Sequence, residues 1–195
     1  MAKSFEPRLV ELLAPAKDLA TGQAAILHGA DAVYIGAPSF GARASAGVSI
    51  EDIGRLAHFA RLYRAKVYVA LNTILYDDEL PEAERIAWEL YRAGADALIV
   101  QDMSLCRLNL PPIALHASTQ CDIRTVEKVR MFESLGYEQV VLARELSLPE
   151  IRKIADSTSV VLEAFVHGAL CVSLSGQCYL SEALTRRSAN RGACA

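Results

Sequence analysis

Short apolar runs alternate along the chain with segments whose apolar residues recur at helical spacing. Residues 9–14, 32–36, 67–72, 97–102, 113–118, 139–144 and 160–166 read as buried strands. The first helix is expected over residues 18–28. A second opens at Ser49, with Asp52 three residues on as a capping-box partner, and carries the stripe Ile53, Leu56, Ala57 and Ala60. A third presents Leu80, Ala83, Ala87 and Leu90 on one face and stops at Gly94. Residues 125–135 form the next, ending at Gly136. Ser147 and Glu150, around Pro149, make a further capping box that opens a helix running to residue 156.

A weak repeat supports this order. Gly29-Ala30-Asp31-Ala32-Val33-Tyr34-Ile35 resembles Gly94-Ala95-Asp96-Ala97-Leu98-Ile99-Val100, and Gly136-Tyr137-Glu138-Gln139-Val140-Val141-Leu142 is a looser third copy. Each joins a helix-stopping glycine, a polar turn and a buried parallel strand. Regular alternation of this kind fits a doubly wound sheet or a (β/α)8 TIM-type barrel. No Gly-x-Gly-x-x-Gly follows the first strand, so the barrel is favoured. A barrel needs eight strands over ~250 residues. Seven are placed here, so the expectation is one barrel domain over residues 1–195 that is truncated after the seventh strand, with the remainder and any C-terminal domain elsewhere. The open edge left behind would favour a homodimer.

Strand alternation sorts side chains into two sets. Val10, Leu12 and Ala14, Val67, Val69 and Leu71, Ile113, Leu115 and Ala117, and Val160, Leu162, Ala164 and Val166 suit packing against outer helices. The opposite faces bring Glu11, Tyr68, Asn72, His116, Ser118, Glu163 and His167 inside. A purely structural barrel interior is mostly branched aliphatic, and buried carboxylates are costly unless partnered. That much inward polarity points to an active site at the C-terminal mouth. Arg43, Gln101, Asp102, Gln120, Arg144 and Glu145 lie just past strand ends and would join it. The plainer alternatives are a satisfied interior histidine at His116, a core tyrosine at Tyr68, an ion pair at the barrel bottom for Glu11 and a solvated loop residue at Arg43.

Composition narrows the chemistry. The 195 residues are 52% hydrophobic and 22% charged, as for a chain with a sizeable core, and net charge is -3, which gives no global nucleic-acid footprint. The one local basic cluster is Arg186, Arg187 and Arg191. No apolar run nears the ~20 residues needed to span a bilayer. Glu6 and Pro7 interrupt the place where a signal peptide would be apolar, so the expected compartment is the cytoplasm, with no membrane partner. There the five cysteines read as free thiols or metal ligands. Cys171, Cys178 and Cys194, separated by six and fifteen residues, fit neither a zinc ribbon nor a ferredoxin run. Three thiolates at a barrel mouth still leave an iron–sulfur cluster open, beside free thiols. Cys106 and Cys121 read as ordinary partly buried thiols. His-Glu-x-x-His and Gly-x-Ser-x-Gly are absent, while a cysteine nucleophile with His116 or His167 as base stays open on paper.

Glu163-x-Phe165-x-x-Gly168-Ala169-Leu170-Cys171, followed by Ser175-Gly176-Gln177-Cys178-x-x-Ser181, resembles the signature of the collagenase-like peptidases of unassigned mechanism, family thirty-two of that class. Leu12-Leu13-Ala14-Pro15-Ala16, Leu71-Asn72-Thr73, His116-Ala117-Ser118-Thr119-Gln120, Leu142-Ala143-Arg144-Glu145-Leu146 and Asn190-Arg191-Gly192-x-Cys194 resemble it as well. Some members of that family are called collagenases or proteases. Others are RNA-modifying or quinone-pathway enzymes that add a hydroxyl without molecular oxygen and carry a [4Fe-4S] cluster on four cysteines. Those acting on pyrimidines of transfer or ribosomal RNA depend on prephenate. The resemblance implies that Cys171, Cys178 and Cys194 are three cluster ligands, with the fourth beyond residue 195, and that this chain alone is inactive. On that reading His116, Glu163, His167 and Arg144 are the catalytic candidates. Arg43, Asn72, Gln101, Ser118, Gln120 and Glu145 would bind substrate, and Arg186, Arg187 and Arg191 would contact RNA phosphate. A peptidase acting on a peptide substrate is the alternative, and a non-catalytic binding module a third.

Overall fold

The computed structural model describes residues 10–42, 47–169 and 171–194. Seven parallel strands form one sheet in strict chain order. They are β1 (Leu13–Ala16), β2 (Ala32–Gly36), β3 (Lys66–Leu71), β4 (Ala97–Val100), β5 (Ala114–Ala117), β6 (Gln139–Val141) and β7 (Val161–Glu163). The helices are α1 (Leu19–Leu27), α2 (Ile50–Leu62), α3 (Leu80–Ala93), α4 (Val126–Ser134), α5 (Leu148–Ala155) and α6 (Leu180–Thr185). A doubly wound sheet reverses its strand order at a switch point. This one never reverses, so the winding is that of a barrel wall, with β1 and β7 at the edges of the described sheet.

The helices begin and end where local chemistry satisfies their free backbone groups. Ser49 caps α2 by accepting from the Asp52 N–H at 3.1 Å, although the reciprocal half of the expected box is not formed. The box at α5 is complete: the Ser147 N–H and hydroxyl donate to Glu150 at 2.8 and 2.6 Å. Asp18 and Thr21 form another at α1, with threonine standing where Glu or Gln is usual. The stripe of α2 is buried as expected, and Ala83, Ile86, Ala87 and Leu90 are the buried face of α3.

The repeat is the device that returns the chain to the sheet. Gly94 ends α3 with φ +96, a left-handed conformation, and Gly29 and Gly136 do the same with φ of 99 and 87. Two residues later the chain docks on the preceding strand. The Asp31 N–H donates to the Leu12 carbonyl and the Asp96 N–H to the Val67 carbonyl, both at 2.9 Å, and that of Glu138 donates to Leu115 at 3.0 Å. In the two closer copies the carboxylate answers: Asp31 accepts from the Leu12 N–H at 2.8 Å and Asp96 from the Val67 N–H at 2.7 Å. This aspartate therefore sets the register of β2 and of β4.

Alternation divides the wall as expected. Val33, Ile35, Val67, Val69, Leu71, Leu98 and Val100 pack in the large core with the helices. Ala32, Tyr68, Ala97 and Ile99 form a separate cluster on the inner face, with Leu13, Tyr34 and Ala114 against it. Each fully buried Leu or Ile contributes about 1.5–3 kcal/mol by leaving water, so the helix-side core dominates stability. Several strands are shorter than their apolar runs. The first is shifted, leaving Val10 and Leu12 exposed. The last ends at Glu163, because β6 offers only Gln139–Val141 for pairing before the chain turns so that the Ala143 N–H meets Ile123. Phe165, Val166 and His167 are therefore exposed beyond the strand, and the inward placement expected for His167 is not realised.

Two glycines should respond to the same substitution with opposite sign. Gly94→Ala forces a left-handed alanine and sets a Cβ 2.6 Å from the Arg61 guanidinium; it should cost about 1–2 kcal/mol in urea unfolding. Gly54→Ala, inside α2 with only Ala93 at 3.7 Å, should stabilise by roughly 0.5–1 kcal/mol.

Candidate functional site

The inward polar residues separate into two groups. The first lies inside the wall and starts at its N-terminal end. Glu11 precedes β1 and accepts from Tyr68 Oη at 2.7 Å and from Lys66 Nζ at 2.9 Å. The Tyr68 ring meets the His116 imidazole edge-on, with centroids 4.6 Å apart. Burial, then the hydrogen bond to Glu11, raise the Tyr68 pKa, so the phenol stays protonated and donates. His116 is 5% exposed and its Nδ1 has no partner. Burial lowers its pKa to about 4, with Glu11 opposing and Lys66 assisting. The imidazole is neutral near pH 7. Glu163 accepts from Gln139 Nε2 at 2.7 Å, and burial raises its pKa against that bond, with Glu11 adding to the rise. The ion pair that the plainer reading placed at the barrel bottom for Glu11 is thus formed with Lys66.

The second group lines the C-terminal mouth and ties its loops together. Asn72, just after β3, accepts from the Ala42 N–H at 2.9 Å and donates to Ser118 Oγ at 3.0 Å. Ser118, 1% exposed, also accepts from the Gln120 N–H at 3.2 Å. Gln101 donates to the Gln120 carbonyl at 3.3 Å, while its buried Oε1 has no partner. Asp102 accepts from the Leu75 and Ser104 N–H groups at 2.8 and 2.9 Å. The amides of Asn72 and Gln101 are thereby committed to joining the loops that follow β2, β3, β4 and β5.

The segment after β7 is held over this framework by β6. Arg144 donates through Nη2 to the Ser173 carbonyl at 3.4 Å, and its buried Nε has no partner. Glu145 accepts from the Ser175 N–H at 2.8 Å and from its hydroxyl at 3.0 Å, with Arg124 Nη2 3.6 Å away. Burial would raise the Glu145 pKa, but these bonds outweigh it and keep it below the usual carboxylate range. Arg124 also pairs with Asp122, which accepts from Gln177 at 2.7 Å. Gly176, φ +69, sits so close to the Gln120 carbonyl that a Cβ there would lie 2.0 Å away.

Cys178 leaves this clamped segment with a thiolate-stabilising surround. The Ser173 hydroxyl donates to its sulfur at 3.2 Å and heads the influences that lower its pKa; burial opposes, and the Leu180 and Ser181 N–H groups assist. The Ser181 hydroxyl also reaches Cys178 and lies 3.9 Å from the Cys194 sulfur, so two of the three motif cysteines meet at one serine. Cys171 is exposed, and no group of three metal-binding side chains is assembled among the described residues. Cys106 and Cys121 are part-buried: Cys106 lies 3.3 Å from Tyr137 Oη, and Cys121 bonds the Val100 and Gln101 carbonyls while burial lifts its pKa to about 12. Arg43 lies outside the described residues. Arg186 and Arg187 are exposed, whereas Arg191 is bound to Glu79 rather than free for phosphate. Asp122 and Glu79 carry no sequence signal for these roles, since their partners Gln177 and Arg191 lie 55 and 112 residues away.

Residues 17–195 match the family model described as peptidase family U32. The chain belongs to peptidase family U32. Over 185 residues this U32 chain is 60% identical to "23S rRNA 5-hydroxycytidine C2501 synthase" of Escherichia coli (strain K12), covering 95% of the chain and 28% of that protein. It is 38% identical over 188 residues to "tRNA hydroxylation protein P1" of Bacillus subtilis (strain 168), covering 94% of the chain and 44% of the relative. The chain thus spans less than half the length of these curated relatives. The solved structure of the U32 peptidase Mk0906 superposes with a TM-score of 0.67 at 16% identity, over 84% of this chain and 72% of the other, which shows the shared fold.

The buried histidine predicts a pH signature. His116 has its folded pKa below its ordinary value of 6.5, so the unfolded chain takes up its proton first. Its contribution to stability is present above pH 6.5 and is lost as pH falls toward about 4. Thermal unfolding across that interval should show a steeper loss for the natural chain than for His116→Gln. Equal slopes would contradict the neutral, buried assignment.

Proposed function

We propose that this U32 chain forms the mouth of an RNA-base hydroxylase that adds a hydroxyl to a pyrimidine of ribosomal or transfer RNA without molecular oxygen. The observation that carries the reading is the 60% identity to an rRNA hydroxycytidine synthase, which runs through nearly the whole chain. The activity belongs to the whole protein, and the cytoplasm is where its RNA would be met. No helix among the described residues is long and apolar enough to cross a membrane.

The cofactor in this proposal is a [4Fe-4S] cluster, with prephenate as co-substrate. Cys178 and Cys194 suit such a group: one sulfur is surrounded by donors that favour thiolate, and both are reached by Ser181. Cys171 would be a third ligand. When bound, the cluster would supply one-electron chemistry at the mouth.

The chain's own groups take distinct parts. Arg144 holds the Ser173 carbonyl and so fixes the segment that leads to Cys178. Glu145 remains ionised and anchors the segment that carries Cys178. Asn72, Gln101, Ser118 and Gln120 shape the rim by joining loops. Glu163, its pKa raised, can retain a proton inside the wall, while neutral His116 accepts or donates without carrying charge. The peptidase alternative, carried by the family name, requires a base beside the nucleophile. Cys178 instead receives bonds from hydroxyl and backbone donors, which stabilise an anion but remove no proton from it.

The full-length protein, isolated without oxygen, should contain iron and absorb visible light, and Cys178→Ala should lose both. Nucleoside mass spectrometry of RNA from cells lacking the protein should show one hydroxylated pyrimidine missing. An iron-free protein that cleaves peptides and leaves RNA unchanged would overturn the proposal.

A further inference from the structure

Among the described residues, Arg191 makes the longest-range side-chain ties to the terminal segment. Its Nη1 and Nη2 reach the two Glu79 oxygens at 2.6 and 2.5 Å, across 112 residues of chain. The same Nη1 donates to the Ile74 carbonyl at 2.6 Å, and the guanidinium lies over the Tyr76 ring at 4.3 Å. The backbone adds a bond from the Ile74 N–H to the Asn190 carbonyl at 3.4 Å, and Asn190 is buried. This is no ordinary surface pair. Its side chains are 27% and 21% exposed, against 61% and 76% for Arg55 and Glu51 on α2. A bidentate, half-buried fork with an aromatic backing is the geometry in which an ion pair holds position. Gly192, φ +83, then reverses the chain, and Cys194 arrives 3.9 Å from the Ser181 hydroxyl at the start of α6.

We propose that Glu79 and Arg191 form a latch that positions Cys194 beside Cys178, so that the two thiols are presented together. The latch rests on the cluster reading only for what the thiols hold. Its geometry concerns the empty protein too. Glu79 and Arg191 are positioning residues: they touch neither substrate nor sulfur, and act by docking residues 189–194 on the loop between β3 and α3. The loop after β3 thereby governs a cysteine at the far end of the chain. Without the latch, that segment keeps its sequence but loses its fixed place beside Ser181.

The test uses the chain without metal and dibromobimane, a reagent that bridges two neighbouring thiols, with the bridged pair identified by peptide mass. Glu79→Gln and Arg191→Met should each lower the rate of Cys178–Cys194 bridging by about tenfold, since losing a fixed geometry lowers the effective concentration of one thiol at the other. Single-site labelling of Cys178 and the unfolding midpoint should change little. Glu51→Gln, at the exposed pair on α2, should leave bridging unchanged, and Glu79→Asp should restore part of it. Equal bridging in the natural chain and Glu79→Gln would overturn the latch. A parallel measurement on the full-length protein isolated without oxygen should show less bound iron in Glu79→Gln. Iron absent from the natural protein, with bridging still dependent on Glu79, would sink the cluster reading and leave the latch standing.

Discussion

The inner face of the wall is the constraint on which the rest depends. Helices cover the outer face and supply the large core, whereas inner side chains have only one another. The inner cluster accordingly pairs small residues, Ala32, Ala97 and Ala114, with the rings of Tyr34 and Tyr68. Polar groups placed there must find partners inside, because an unpaired buried charge costs more than the fold can absorb. Tyr68 resolves most of this. Its hydroxyl donates to one oxygen of Glu11, Lys66 pairs with the other, and its ring supports His116. Gln139 serves Glu163 in the same way. The wall is therefore polar within without being charged throughout, and His116 is held neutral by its surroundings.

At the mouth the physics changes from burial to tying. Loops after parallel strands have no ladder of their own, so side chains bond neighbouring loops instead: Asn72 to Ala42 and Ser118, Gln101 to Gln120, Asp102 to Leu75, and Glu145 to Ser175. Gly176 lets the last of these segments lie directly on the Gln120 carbonyl. The Cys178 segment is thus an extension of the framework built by β3 to β6, and the Glu79–Arg191 pair brings residues 189–194 into the same framework. The Cys178 and Cys194 thiols are mounted on loops whose order comes from the wall beneath them. This division is usual where function resides in loops and stability in the elements that carry them.

Local chemistry was sufficient for the wall. Among the described residues periodicity located six strands closely and β1 with a shift, together with the helices of the wall; alternation separated helix-facing from inward residues, and the repeat marked three returns to the sheet, because these depend on near neighbours in the chain. The motif residues Asn72, Ser118, Gln120, Arg144, Glu145 and Cys178 also lie where the mouth forms. Strand ends were less legible. Residues 160–166 are apolar enough for a long strand, yet β7 stops at Glu163 because its neighbour β6 is short. That length is set by the partner, so His167 could not be placed from its own sequence.

The sequence by itself determined the winding, the two faces of the sheet and the segment that bears the cysteines. Tertiary structure decided what the polar residues do. It made Asn72 and Gln101 loop ties, paired Glu11 with Lys66 and Tyr68, bound Arg191 to Glu79, and brought Cys194 and Cys178 to one serine. The reason lies in range. Apolar patterning is repeated every two or three to four residues and is read along the chain, whereas a buried charge or hydrogen bond depends on one partner whose distance in sequence carries no signal.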